Sequence, residues 1–129
     1  MAGMAIDGVL AYLRRLHGVA DAAPRSDREL LRSFASNNDQ DAFAAVMTRH
    51  TPLVWGVCRR ILGHQQDAED AFQATFLILA RRAGSGRWHA SVGGWLYTVA
   101  HRLAVRARQR GRQRQAREQE AGRMRRADS

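Results

Sequence analysis

The sequence predicts an all-α protein, a compact bundle of about four helices, from three observations. Apolar residues recur at helical spacing through residues 26–112, and no alternating strand pattern competes. Alanine, leucine, arginine and glutamine, which favour helices, dominate the middle of the chain. Only 2 of the 129 residues are proline and 45% are hydrophobic, so one domain can build an apolar core.

The segment before the bundle allows two interpretations. Residues 5–17 carry an amphipathic pattern that predicts a modest helix ending near Gly18, and residues 18–26 resemble a linker. Residues 1–25 are therefore expected to be either a frayed leader or a helix that docks on the bundle.

The first two helices of the bundle have recognisable signals. Ser26 and Glu29 fit a capping box, so the first helix should cover residues 27–36. The second helix is expected over residues 40–62, where apolar residues recur at helical spacing. Pro52 lies inside that helix and should interrupt and kink it, because proline lacks a backbone N–H.

The last two helices differ in charge. The third, over residues 65–83, begins among carboxylates and ends at arginines, as the helix dipole favours. Ser91 can cap the fourth, which should cover residues 92–110 and continue somewhat further. After Gly111 the apolar pattern stops, so residues 112–129 should form a basic tail that is partly disordered, or a charged helical extension.

The chain is strongly basic, with 21 basic residues, all of them arginine, against 12 acidic ones, a formal charge of +9. A GC-rich genome accounts for arginine in place of lysine, but it does not account for the excess of positive charge. That excess lies mainly in the second half, since no acidic residue occurs from residue 71 to residue 117. Such a field suits a polyanionic partner.

Other classes of function find little support in the sequence. Cys58 is the only cysteine, so no internal disulfide can form, and a zinc site with His50 and His64 lacks a fourth ligand. A buried structural cysteine is the favoured interpretation. No P-loop or nucleophile motif occurs, so we expect no enzyme, no cofactor, no metal and no small-molecule substrate. Without a signal peptide or an apolar run of roughly 20 residues, we expect a cytoplasmic protein with no membrane insertion.

A surface of carboxylates and amides is the first candidate site. At helical spacing, Asp70, Gln73 and Leu77 share one stripe of the third helix, beside a second stripe that includes Asp67. Such a surface suits a partner protein with basic side chains. The alternative is that the acids only complement the helix dipole while the phenylalanines are core residues, and composition alone favours that alternative.

Aromatic and basic side chains are interleaved before and at the start of the fourth helix. Together they suit single-stranded nucleic acid, because stacking on an aromatic ring is worth roughly 1–3 kcal/mol per base. Trp88 lies in a loop with no evident helical partner. Trp95 lies on the apolar stripe, which favours a core position for most of its ring with one edge exposed. The candidate residues here are Arg87, Trp88, His89, Ser91 and Trp95.

An arginine column is the third candidate site. Thr98, Arg102 and Arg106 recur every four residues and so follow one side of the helix, as contact with a phosphate backbone requires. The same helix also carries His101, Arg108 and Arg110. An ordinary solvated face is the alternative, which the absence of interleaved acids disfavours.

Two of these segments resemble a known family. Asp67-Ala68-Glu69-Asp70-x-x-Gln73-x-x-Phe76 resembles the region 2.2 signature of the sigma-70 superfamily, in its extracytoplasmic-function (ECF) branch. Trp95-Leu96-Tyr97-x-Val99-Ala100-x-Arg102-x-Ala104 is similar to the tryptophan-led helix of regions 2.3 and 2.4. The segment from Asp41 to Arg60 is similar to region 2.1, so the resemblance covers residues 27–112. It implies a fold like that of sigma region 2.

The resemblance implies two functional surfaces. The third helix would dock on the clamp helices of the largest subunit of core RNA polymerase, through Asp67, Glu69, Asp70, Gln73 and Phe76. The loop over residues 84–91 would receive a base flipped from the non-template strand of the minus-ten promoter element. The implied DNA-binding set is Arg87, Trp88, His89, Ser91, Trp95, Thr98, His101, Arg102, Arg106, Arg108 and Arg110. An anti-sigma factor would be a further partner.

Two departures from the family pattern stand out. ECF factors carry a second helical domain, region 4, whereas the domains expected here are residues 1–25, a region 2-like domain over 26–112 and an arginine-rich tail over 113–129. Leu103 follows Arg102 where many family members carry asparagine, so base preference does not carry over. The alternatives are a generic arginine-rich nucleic-acid binder and a module that binds polymerase or an anti-sigma factor without melting DNA.

Overall fold

Four helices make up the part of the chain that the structure, a computed structural model, describes, namely residues 25–85, 88 and 91–128. They are α1 (Asp27–Asn37), α2 (Gln40–Ile61), α3 (Gln65–Arg82) and α4 (Val92–Ala127). No strand occurs among these described residues, and the predicted all-α bundle is confirmed. The two alternatives for residues 1–25, a frayed leader and a docked helix, concern residues that lie outside the described ranges except for Arg25.

Side-chain caps set the beginning of three helices. In each, an oxygen of the residue before the helix accepts a hydrogen bond from a backbone N–H in the first turn. The pairs are Ser26 Oγ with the N–H of Glu29 at 3.1 Å, Asp39 Oδ1 with that of Ala42 at 3.1 Å, and Ser91 Oγ with that of Gly94 at 3.0 Å. Asn38, at φ 52°, turns the chain between α1 and α2 in the left-handed conformation that asparagine tolerates.

The core lies around α2, against which α1, α3 and α4 all pack, while α3 and α4 also pack against each other. The largest fully buried side chains are Leu31, Val46, Val54, Val57, Cys58, Thr75, Leu79 and Leu96. Thr75 is the polar member, and its hydroxyl donates to the Ala71 carbonyl at 2.8 Å. That hydrogen bond satisfies a polar group that would otherwise destabilise the core.

Cys58 is one of these core residues, which confirms its interpretation as a buried structural cysteine. Burial disfavours the charged thiolate and raises the pKa of the Cys58 thiol to about 11. Within the described ranges, no group of three or more histidine, cysteine or acidic side chains could hold a metal ion.

Helix α2 continues through Pro52, so the expected interruption is wrong. Proline cannot donate to the carbonyl one turn earlier, but Pro52 is exposed, so its ring does not disturb the packed side of the helix. The hydroxyls of Thr48 and Thr51 donate to the carbonyls of Ala44 and Met47, at 2.9 and 2.6 Å, in the same stretch.

Helix α4 has two parts. It spans 36 residues, about 54 Å at 1.5 Å per residue. Val92, Leu96, Ala100 and Ala104 are buried in the first part, whereas from residue 112 to residue 128 only Gly122 is not exposed. The tail is therefore the charged helical extension, because strong helix formers prolong a helix that packing has already nucleated.

None of the helices in the described part of the chain is long and apolar enough to cross a membrane.

Candidate functional site

The outer face of α3 carries an acid, an amide and an apolar side chain together. Asp70, Gln73 and Leu77 are all exposed, and Leu77 exposes 61% of its surface. The Gln66 amide donates to Asp70 Oδ1 at 3.0 Å, one turn away. We call Gln66, Asp70, Gln73 and Leu77 the α3 face. Because carboxylate, amide and exposed methyl groups lie side by side, this face can bind a partner protein by charge, hydrogen bonding and apolar contact at once.

The other predicted residues of α3 lie around this face or beneath it. Asp67 is exposed on the side facing α4, whereas Glu69 is half-buried and lines a shallow depression beside the turn that precedes α3. Phe76 exposes only 3% of its surface and packs against Phe72, with ring centroids 5.1 Å apart. Phe76 therefore offers almost no surface for direct contact with a partner, because the helical period turns its ring into the core.

Trp88 is held by partners from three helices, contrary to the expectation of a loop residue without one. Its ring meets that of Trp95 edge to face, with centroids 5.3 Å apart. The Arg82 guanidinium lies 5.0 Å from the centroid of Trp88 and 5.5 Å from that of Trp95. Arg28 of α1 donates to the Trp88 carbonyl at 3.1 Å. Trp88 and Trp95 are both half-buried, so each ring serves the core and keeps an accessible part.

A cavity of about 350 Å³ opens beside Trp88. Its lining is formed by Arg28, Arg32, Ala35, Ser36, Ala83, Gly84 and Trp88. Guanidinium groups and an indole ring next to an open cavity suit a planar, hydrogen-bonding group attached to a phosphate. The sequence alone did not indicate Arg28 and Arg32, because α1 is far from this loop along the chain and meets it only in the folded bundle.

The loop itself is described only in part. Arg87 and His89 lie outside the described residues. Ser91 is exposed, but its oxygen already accepts the capping hydrogen bond at the start of α4. The Thr98 hydroxyl donates to the Gly94 carbonyl at 3.1 Å. Ser91 and Thr98 therefore shape the first turns of α4, and their hydroxyls are only partly available to DNA.

The arginine column is exposed as the spacing predicts. Arg102 and Arg106 are exposed on α4, as is His101. Tyr97 exposes 42% of its surface and stacks on His101, with ring centroids 6.0 Å apart and an angle of 23° between the planes. The separation of four residues could have indicated this pair from the sequence, but Tyr97 was not among the predicted residues.

The remaining predicted arginines of α4 line grooves between helices. Arg108 lines a groove beside the turn between α2 and α3. Arg110 lines another groove, together with Asp67, Asp70 and Arg114. The sequence assigned Arg110 to DNA, whereas the structure brings it next to the carboxylates of α3.

The position of α1 depends on Asp27. Its carboxylate accepts a hydrogen bond from Arg49 at 3.0 Å and lies 2.7 Å from Nε2 of His50, both on α2. The hydrogen bond with His50 is the largest cause that lowers the pKa of Asp27 below its usual 3.8, and Arg49 adds to it. This joint fixes the helix that carries Arg28 and Arg32 to the side of Trp88.

Comparison with known proteins places this arrangement in a family. Residues 46–115 match the sigma-70 region 2 family, and this chain belongs to that family. The resemblance inferred from the two motifs is thereby confirmed. The chain is similar to the ECF RNA polymerase sigma factor SigM of Mycobacterium tuberculosis (strain ATCC 25618 / H37Rv), with 37% identity over 83 residues, 64% of this chain and 40% of that protein.

Other relatives belong to the same branch. The ECF RNA polymerase sigma factor SigK of Mycobacterium sp. (strain KMS) is 37% identical over 81 residues, 62% of this chain and 42% of that protein. The ECF RNA polymerase sigma factor SigW of Bacillus subtilis (strain 168) is 31% identical over 67 residues, 52% of this chain and 36% of that protein. The chain thus spans about two fifths of the length of these relatives. No solved structure matches it.

Proposed function

We propose that this chain acts in transcription initiation as a sigma factor: it binds core RNA polymerase through the α3 face, and holds the non-template strand of an opened minus-ten promoter element along α4. The observation that carries the proposal is the α3 face, where Asp70, Gln73 and Leu77 are exposed together on the helix that bears the region 2.2 signature. The clamp helices of the largest polymerase subunit are the proposed docking partner.

Charge supports the assignment of a different partner to each of the two surfaces. The α3 face carries a carboxylate and lacks a basic side chain, so it repels phosphate and favours a protein with basic residues. Helix α4 carries exposed arginines with no acidic residue before Glu118, so it attracts a nucleic-acid strand. A generic nucleic-acid binder would have no use for the exposed acid, amide and leucine on α3.

The Trp88 cavity supports recognition of an unpaired strand. A flipped base loses stacking, at a cost of about a few kcal/mol. A cavity lined by an indole and two guanidinium groups can offset that cost only when the base has left the duplex. Because the protein would bind the open form more tightly than the closed one, it shifts the equilibrium towards opening without any chemical step.

Capture of core RNA polymerase by the immobilised chain is the direct experiment. Replacing Asp70 and Gln73 together by alanine should abolish capture, because both side chains are exposed and their loss leaves the core intact. Asp41→Ala is the matched control, since Asp41 is an exposed carboxylate in the first turn of α2. Equal capture by all three proteins would contradict the proposal.

A second readout separates the proposed function from that of a polymerase-binding module that leaves DNA closed. Binding of the chain to a single-stranded oligonucleotide is compared with binding to the matching duplex at equal salt. The proposal expects tighter binding to the single strand. Polymerase capture without any preference for the single strand would support the non-melting module instead.

A further inference from the structure

A groove with oppositely charged walls runs between α3 and α4. Its volume is about 310 Å³. The floor consists of small or apolar residues, namely Ala71, Ala74, Leu103, Ala107 and Gly111. Asp67 and Asp70 form the α3 wall, and Arg110 and Arg114 form the α4 wall. One edge of the groove is therefore the α3 face itself, since Asp70 belongs to both.

The charges of the two walls do not neutralise each other. Among the described residues, the side chains of Arg110, Arg114 and Asp67 form neither an ion pair nor a hydrogen bond. All four charged side chains of the walls are exposed. Each wall can therefore still bind a group of opposite charge, and a segment lying in the groove can meet both walls at once.

The carboxylates make this groove a poor place for DNA. A phosphate bound by Arg110 or Arg114 would lie close to Asp67 and Asp70, whose negative charges repel it. Arg102 and Arg106 lie closer to the Trp88 end of α4 and line neither this groove nor the one beside Arg108. The arginines of α4 thus fall into two groups with different surroundings, although their spacing in the sequence is the same.

We propose that α4 supplies the second wall of the polymerase-binding site, and that Arg110 and Arg114 bind the polymerase rather than DNA. The occupant is a polymerase helix that presents basic side chains to Asp67 and Asp70 and acidic side chains to Arg110 and Arg114. This inference rests on the proposed function. It adds a specificity requirement, because a helix with basic residues alone would meet repulsion from the α4 wall.

The test compares a double variant with a control that removes one arginine charge elsewhere on α4. Arg110→Gln with Arg114→Gln should weaken binding to core RNA polymerase by about tenfold, while Arg117→Gln, one turn further along and outside the groove, should not. Binding of a single-stranded oligonucleotide should change no more, per charge removed, than it does in Arg117→Gln. Circular dichroism and the melting temperature verify that each variant folds, as expected for exposed positions.

The outcomes separate this inference from the proposed function. Unchanged polymerase binding in the double variant overturns the inference, as does a loss of single-strand binding that is larger per charge removed than that of Arg117→Gln. Asp70→Asn, measured beside them, tests the proposed function by itself. If Asp70→Asn weakens polymerase binding while the double variant does not, only the inference fails; if neither variant weakens it, the proposed function fails as well.

Discussion

At the scale of single residues, Asp27 joins α1 to α2 beside the start of α4. It lies at the start of α1 and contacts Arg49 and His50 on α2, and His50 in turn lies against α4, since a Cβ on Gly93 would approach its ring to 3.3 Å. A glycine at position 93 therefore lets α4 begin close to α2. One carboxylate thus holds α1, α2 and the start of α4 in register.

The lowered pKa of Asp27 gives this joint a defined pH dependence. In the unfolded chain the carboxyl regains its usual pKa of 3.8, so below that pH the unfolded state binds more protons than the folded state. The stabilisation is complete above pH 3.8 and is lost as the pH falls through the lower pKa of the folded state. Asp27→Asn should reduce the free energy of unfolding at pH 7 by roughly 1–2 kcal/mol, and the difference from wild type should narrow in acid.

Urea unfolding at pH 7 and at a series of values below 3.8 measures this effect. Asp41→Asn serves as the control, because Asp41 is exposed in the first turn of α2. A difference between Asp27→Asn and wild type that stays constant down to the lowest pH would show that the carboxylate charge is not what stabilises the joint.

Cys58 should report unfolding through its reactivity. Its side chain is fully buried and burial raises its pKa to about 11, so the native protein has almost no accessible thiolate at pH 8. A thiol reagent should react with the unfolded protein in urea and leave the native protein unmodified over the same period. Rapid and complete modification in native buffer would contradict the buried position.

At the scale of elements, α4 joins two kinds of surface on one helix. Its first part packs against α2 and α3 and exposes the arginine column. Near its beginning, Trp95 packs against Trp88. Its second part extends beyond the apolar pattern as a charged helix. Because the first part of α4 packs against α3, the arginine column keeps a fixed distance from the α3 face.

Salt dependence measures how much of α4 contacts phosphate. Each arginine that neutralises a phosphate of a single strand should contribute about 0.7 to the slope of log affinity against log salt concentration. Arg102→Gln and Arg106→Gln should therefore each lower the slope by about 0.7, and Arg117→Gln should lower it less. Unchanged slopes for Arg102→Gln and Arg106→Gln would remove both residues from the DNA surface.

Local signals in the sequence predicted the elements well. The caps at Ser26 and Ser91 involve a backbone N–H three residues away, so a short sequence window contains both partners. Exposure of Asp70, Gln73 and Leu77 also followed from the period of a single helix. Phe76 was the exception within α3, because a family signature includes residues that support a surface as well as those that form it.

Features that depend on how the helices pack could not be predicted. Arg28 and Trp88 are 60 residues apart and meet only in the folded bundle. Arg110 follows the same spacing as Arg102 and Arg106, and only the packing of α3 beside α4 places it opposite carboxylates. A single helical pattern indicates which residues share a side, but it does not indicate what faces that side.

At the scale of the whole molecule, one small bundle carries two surfaces of different chemical character on different helices. The α3 face presents a carboxylate, an amide and a leucine, while α4 presents arginines beside a pair of tryptophans. Both surfaces belong to helices that share one core, so neither needs a second domain to position it. Membership of the sigma-70 region 2 family does not by itself assign a partner to each surface.

Site-specific photocrosslinking can identify the partner of each surface. A photoreactive amino acid replaces Gln73 in one preparation and Arg102 in another, and each protein is assembled with core RNA polymerase and DNA containing an unpaired bubble. We predict that position 73 crosslinks to the largest polymerase subunit and that position 102 crosslinks to the unpaired non-template strand. Crosslinking of both positions to the same partner, or of position 73 to DNA, would contradict the separation of the two surfaces.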